Sequence, residues 1–162
     1  MHQHSLQVAY KTDIASDKSI DVTCVQNALA HVLSEEARAL GHVVANFPEN
    51  SHVLVKKILE TKGKVIFSGF GKSGIVARKL AATFSGVAIP AIFMHPADGV
   101  HGDLGVVQPS DLFIILSKSG TGTEFEYMLP YLKSRGIFSF LITCRHGLLK
   151  DLVDETIILP LQ

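Results

Sequence analysis

Two short segments of this sequence place glycine and hydroxyl residues just ahead of helix-like runs, and both could hold a phosphate. The first is Gly69-Phe70-Gly71-Lys72-Ser73-Gly74. Glycines let the main chain pass close to a ligand. A helix start offers unpaired N–H groups and partial positive charge, which suit an anion. Ser73 is placed to cap that helix and to donate its hydroxyl. The second segment is Ser117-Lys118-Ser119-Gly120-Thr121-Gly122-Thr123-Glu124. Its hydroxyl residues Ser117, Ser119, Thr121 and Thr123 are the neutral donors that a phosphate takes at a helix N-terminus.

Each segment also has a plainer use. The first reads as a tight strand-to-helix turn, and the second as a helix cap with Thr123 capping and Glu126 three residues on. Two such loops in one chain argue for a phosphate site more strongly than either alone. Named nucleotide motifs do not fit. A Walker loop fails because Ile66 and Phe67 stand where its first glycine belongs, and a dinucleotide fingerprint fails because Met94 and His95, not an acid, end the second strand-like run. A third segment, from His95-Pro96 through His101 to Gly105, holds two imidazoles suited to acid–base work near neutral pH. His95 and His101 lack a third ligand at metal-binding spacing, so no metal site is expected.

These segments must be positioned by the elements between them. Short apolar runs at 64–68, 91–94, 112–116, 138–143 and 156–159 read as buried strands, and helical patterns at 74–86, 124–135 and 148–153 lie between them. Strands that are apolar throughout and alternate with helices predict a parallel, doubly wound sheet covered on both faces. In such sheets ligands bind beyond the carboxyl ends of the strands, which is where all three segments arrive. Upstream, Val22, Val25, Ala28, Leu29, Val32, Leu33, Ala37, Leu40 and Val44 form an apolar stripe that predicts a helix from Ser19 to Phe47, ended by Pro48. A second helix is predicted over 51–61, with Val53, Leu54, Ile58 and Leu59 facing inward. Residues 1–18 are polar and predicted to be a flexible N-terminus.

Length and composition set the outer bounds. The 162 residues suit one domain with a real core. Lysine plus arginine and aspartate plus glutamate are 15 each, so there is no basic excess to point to nucleic acid. Cys24 and Cys144 form no paired motif and are expected to be buried thiols in a reducing compartment. The sequence from Met1 to Tyr10 has no apolar leader, and no run of 18 apolar residues exists to span a membrane, so a cytoplasmic location is expected.

On these residues the sequence resembles the sugar isomerase (SIS) domain and, within it, the D-arabinose-5-phosphate isomerases of lipopolysaccharide and capsule synthesis. The resemblance runs from about Gly63 to Leu159 and rests on three stretches. They are Gly69 to Gly74 with Arg78-Lys79-Leu80-Ala81-Ala82-Thr83-Phe84, Phe93-Met94-His95-Pro96 with His101-Gly102-Asp103-Leu104-Gly105, and Ser117-Lys118-Ser119-Gly120 with Glu124. It implies a three-layer α/β/α sandwich around a five-stranded, parallel, flavodoxin-like sheet with a helical N-terminal extension. It also implies interconversion of D-ribulose 5-phosphate and D-arabinose 5-phosphate with no metal or nucleotide cofactor, in a homo-oligomer. Lys72, His101 and Glu124 match the family's active-site positions. Ser73, Ser117 and Ser119 match its phosphate-contacting positions, and Gly71, His95, Gly120, Thr121 and Thr123 are expected to bind substrate beside them. The family's serine loop reads Ser-Asn-Ser-Gly-Glu-Ser-Ser-Glu, so Thr121 and Gly122 are departures. Its later active-site Glu and His have no counterpart before Gln162. The SIS domain is therefore expected over 19–162 as a C-terminally truncated form that binds sugar phosphate and isomerises it poorly or not at all. The rival readings are a non-catalytic sugar-phosphate sensor, an isomerase or epimerase for another sugar, and an oligomerisation domain that binds nothing.

Overall fold

The computed structural model describes residues 21–161. The expectation of a flexible segment at 1–18 therefore lies outside the described residues. Two compact units are present, one ending at Leu40 and one running from Gly41 onward.

The second unit is built on five strands, β1 (Val65–Gly69), β2 (Ala91–Met94), β3 (Leu112–Ser117), β4 (Phe138–Thr143) and β5 (Glu155–Ile158). All pair in parallel, in the order β2-β1-β3-β4-β5. This is the flavodoxin-like order, whose direction of winding reverses between β1 and β3. Side chains alternate faces along each strand, and two apolar layers result. Ile66, Phe113, Ile115 and Leu141 pack under Phe125, Met128, Leu129 and Leu132 of α5 (Thr123–Ser134). On the other face, Val65, Phe67, Ile114 and Phe140 meet Ala77 and Ala81 of α3 (Gly71–Gly86) together with Val53, Leu54 and Ile58 of α2 (Ser51–Glu60). Helices on both faces bury the sheet, as the uninterrupted apolar strands require. Leu59 departs from its expected inward position and is exposed, because it follows Ile58 around the helix onto the solvent side.

Both functional helices begin earlier than their sequence pattern suggests. α3 starts at Gly71, so Ser73 lies inside the first turn and Phe70 is the cap residue. α5 starts at Thr123, with Gly122 as its cap residue, so Thr123 does not cap it and Glu126 donates its N–H to the Gly122 carbonyl. The segment after β2 is not a plain loop: it holds a short helix, α4 (Pro96–Val100), and a 3₁₀ turn over Asp103–Val106. The predicted helix at 148–153 is a 3₁₀ turn over Leu148–Asp151.

A half-buried ion pair fixes the entry to the sheet. Lys64 Nζ lies 2.6 Å from Asp111 Oδ2, and the backbone amides of Lys64 and Gln108 donate to the same carboxylate at 2.9 and 2.8 Å. Burial pushes the Asp111 carboxyl up, but the bonds from Lys64 and Gln108 outweigh it and hold the group below its ordinary value.

Upstream, α1 (Val22–Ala45) is capped by Asp21, whose Oδ1 accepts from the amides of Thr23 and Cys24 at 2.9 and 3.2 Å. None of its side chains is buried, and Val25, Leu29, Val32, Leu33 and Leu40 present an exposed apolar stripe. The two cysteines are not the buried thiols expected: Cys24 is exposed on this helix and Cys144 is only half-buried, in the turn after β4.

Candidate functional site

A cavity of about 400 Å³ opens beyond the carboxyl ends of β1 and β3, at the point where the sheet reverses its winding. Ser73 of α3 reaches it from one side, and Ser117, Lys118, Ser119 and Thr121 from the other. Phe70 and Phe125 supply apolar walls, their rings edge to face at 5.7 Å. Arg145, from the turn after β4, completes the lining.

The serine loop is folded by its own hydroxyls. Ser117 Oγ donates to the Thr121 carbonyl at 3.0 Å, and the Ser119 and Thr121 hydroxyls share a bond of 2.8 Å. Two helices begin here, and no side chain caps either of them. Their first-turn amides have no acceptor within their own helix. Gly71, at a φ of +50°, is the turn into α3 that a side chain would strain. Hydroxyl donors and uncapped helix starts together form a setting for an anion with several oxygens.

The predicted site residues do not all share one place. Ser73, Ser117, Ser119 and Thr121 come together around this cavity, with Gly120 in the same loop. Lys72 lines an adjoining cavity of about 430 Å³, which shares Ser73, Ser117 and Lys118 and has an apolar floor including Val76, Ile142 and Leu159. Thr123 and Glu124 open α5 and Gly71 opens α3, next in the chain to the lining residues. The histidines lie further along the sheet edge. His95 lines a third cavity, with Arg78, Asp98 and Asp103, and its Nδ1 accepts from the Ala97 amide at 3.3 Å. That acceptor role puts the proton of the neutral ring on Nε2. The His95 ring meets Phe70 edge to face at 5.3 Å, which links the third cavity to the first. His101 is the exposed cap residue after α4. Among the described residues no cluster of three or more His, Cys, Asp or Glu side chains could hold a metal ion.

Sequence reasoning misses Lys118 and Arg145 as lining residues, and Phe70 and Phe125 as walls. Arg145 has one available signal. It stands two residues beyond Thr143, at the same carboxyl end of the sheet that gathers the other loops.

The family model of the SIS domain matches residues 58–159. This chain belongs to the SIS-domain family. The chain is 38% identical over 120 residues to arabinose 5-phosphate isomerase KdsD of Escherichia coli (strain K12), covering 74% of this chain and 37% of the relative. It is 39% identical over 110 residues to arabinose 5-phosphate isomerase KpsF of Escherichia coli, covering 67% of this chain and 34% of that protein. The chain thus spans a little over a third of the length of these curated relatives. The solved structure of E. coli CFT073 c3406 in complex with arabinose 5-phosphate superposes with a TM-score of 0.83 at 35% identity, over 88% of this chain and 77% of that one. Among the described residues no helix of this SIS domain is long and apolar enough to cross a membrane.

Proposed function

We propose that the protein is an aldose–ketose isomerase that interconverts D-arabinose 5-phosphate and D-ribulose 5-phosphate, in the supply of lipopolysaccharide or capsule precursors. One observation carries this reading: Ser73, Ser117, Ser119 and Thr121 converge on a single cavity between two uncapped helix starts, in a SIS domain similar to KdsD and KpsF. In this reading the phosphate lies against those hydroxyls, with Gly71 and Thr123 giving main-chain donors and Gly120, whose amide donates to the Ser117 carbonyl at 3.1 Å, shaping the loop around it. His95 borders the sugar through its contact with Phe70.

The reaction moves a proton between adjacent carbons through an enediol. It needs a base, a path for the hydroxyl proton and positive charge near the developing oxyanion. Glu124 and His101 are assigned the proton transfers. Lys72, next to Ser73, is assigned the positive charge. No metal or cofactor enters this scheme. A cytoplasmic location belongs to it, since that is where sugar phosphates are held. A homo-oligomer does as well, with the exposed stripe of α1 covered by a second subunit. Light scattering at about 10 µM, a concentration chosen on the usual affinity scale, then gives a mass above that of one chain.

A second reading, a sugar-phosphate-binding module without turnover, draws on the placement of Glu124 and His101 outside the cavity lining. One experiment separates the two. The protein is mixed with D-arabinose 5-phosphate, ketose formation is followed, and binding is measured in parallel by calorimetry. Turnover supports the isomerase. Binding alone supports the module, and no binding refutes both.

A further inference from the structure

We infer that Arg145 selects for a doubly charged phosphate in the serine-loop cavity, a role that rests on the sugar-phosphate reading above. None of the residues lining that cavity is acidic, and Arg145 and Lys118 are its cations. The two differ in how they are held. Lys118 sits in the serine loop itself and lines both adjoining cavities. Arg145 sits on a separate turn whose main chain is pinned at both ends. Its amide donates to Thr143 Oγ1 at 3.2 Å, and that hydroxyl donates to the Arg145 carbonyl at 3.0 Å. Thr143 is 1% exposed.

This turn is joined to the serine loop by main-chain contacts. Cys144 N donates to the Lys118 carbonyl at 3.2 Å, and Leu149 N donates to the Gly120 carbonyl at 3.0 Å. Gly120, at a φ of +70°, would be strained by a side chain, and an added Cβ would press at 3.0 Å on the Arg145 carbonyl oxygen. An added Cβ on Gly147 would collide with the Gly120 carbonyl oxygen. The loop that offers hydroxyls and the turn that offers the guanidinium are therefore held as one unit.

Within that unit the Arg145 head makes no hydrogen bond or ion pair to a described residue. Its main chain is already ordered, so binding an anion costs only the ordering of the side chain. A guanidinium presents a planar fork of donors that matches two oxygens of one phosphate, and it stays charged at all working pH values. Hydroxyls and amides can hold a phosphate of either charge. A fixed positive charge adds preference for the dianion.

The test measures binding of D-arabinose 5-phosphate and of inorganic phosphate to the wild type, Arg145→Gln and Arg145→Lys by calorimetry, at a series of pH values. Arg145→Gln is expected to weaken both ligands by about 10- to 100-fold near pH 7.5, the usual worth of a charge-assisted hydrogen bond. Arg145→Lys recovers part of that, because an ammonium keeps the charge and loses the fork. The charge readout separates selection from scaffolding. Wild-type affinity falls as the pH drops through the second phosphate pKa near ~6, and Arg145→Gln flattens that fall. Thermal melting stays unchanged in both variants, since the side chain is exposed. If the wild type binds and Arg145→Gln binds equally well with the same pH profile, the inference is overturned while the sugar-phosphate reading stands. If the wild type binds neither ligand, the sugar-phosphate reading fails and the inference fails with it.

Discussion

Removing the Ser119 hydroxyl should separate ligand binding from folding. Ser119 is exposed at the cavity mouth, and among the described residues its hydroxyl bonds only to Thr121 Oγ1, at 2.8 Å. In Ser119→Ala the Thr121 hydroxyl is left beside solvent, where water replaces the lost partner. The stability cost is then within about 0.5 kcal/mol, as for exposed substitutions generally. For a domain of this size that is about 1–2 °C in melting temperature. Binding loses more. A hydroxyl donating to a charged phosphate oxygen is worth about 1.5–3 kcal/mol, which corresponds to about 10- to 150-fold in Kd. Calorimetry with D-arabinose 5-phosphate reads the loss, and D-arabinose without its phosphate serves as the control whose weak binding does not change. An unchanged Kd for the phosphate ester in a folded Ser119→Ala, against a wild type that binds, would refute the placement of the phosphate on this loop.

Two further outcomes follow from the same structure. Glu124→Gln keeps the shape of the first turn of α5 and removes a proton acceptor, so kcat for D-arabinose 5-phosphate should fall by about 10²- to 10⁴-fold with Kd nearly unchanged; equal losses in both would assign Glu124 to binding. Asp111→Asn breaks the pair with Lys64 and should destabilise the fold by about 2–4 kcal/mol in denaturant unfolding. The Asp111 carboxyl is held below its ordinary value in the folded protein. Its contribution is therefore fully present above the unfolded carboxylate range and is lost as pH falls below about 4. Asp111→Asn should remove that part of the acid sensitivity, and an identical acid profile in the variant would contradict it.

The sheet is legible in the sequence because its signal is redundant. Each of β1, β3 and β4 is apolar on both faces, which only a doubly covered parallel strand tolerates. The gathering of Ser73 with the 117–121 loop follows from topology, since both segments leave the carboxyl ends of neighbouring strands. The helix starts are less legible, because a hydroxyl residue ahead of a helical run looks like a cap whether or not it is one. A glycine at positive φ turns the chain into α3 two residues before Ser73, and Gly122, in extended backbone, takes the cap position ahead of Thr123. The thiols mislead because apolar neighbours in sequence do not imply burial. Cys24 lies on a helix with no buried side chain, and Cys144 lies in a turn. Arg145 carries only the weak signal of following the carboxyl end of β4, because its turn looks like any polar connection until the contact of Gly120 with Gly147 brings it to the cavity.

The most direct test of the account is a crystal structure of the protein with D-arabinose 5-phosphate bound. The predicted result is a phosphate within hydrogen-bond reach of Ser73, Ser119 and Thr121, with the Arg145 guanidinium turned onto it. A phosphate lodged instead in the cavity of Arg78, His95 and Asp103, away from the serine loop, would contradict it.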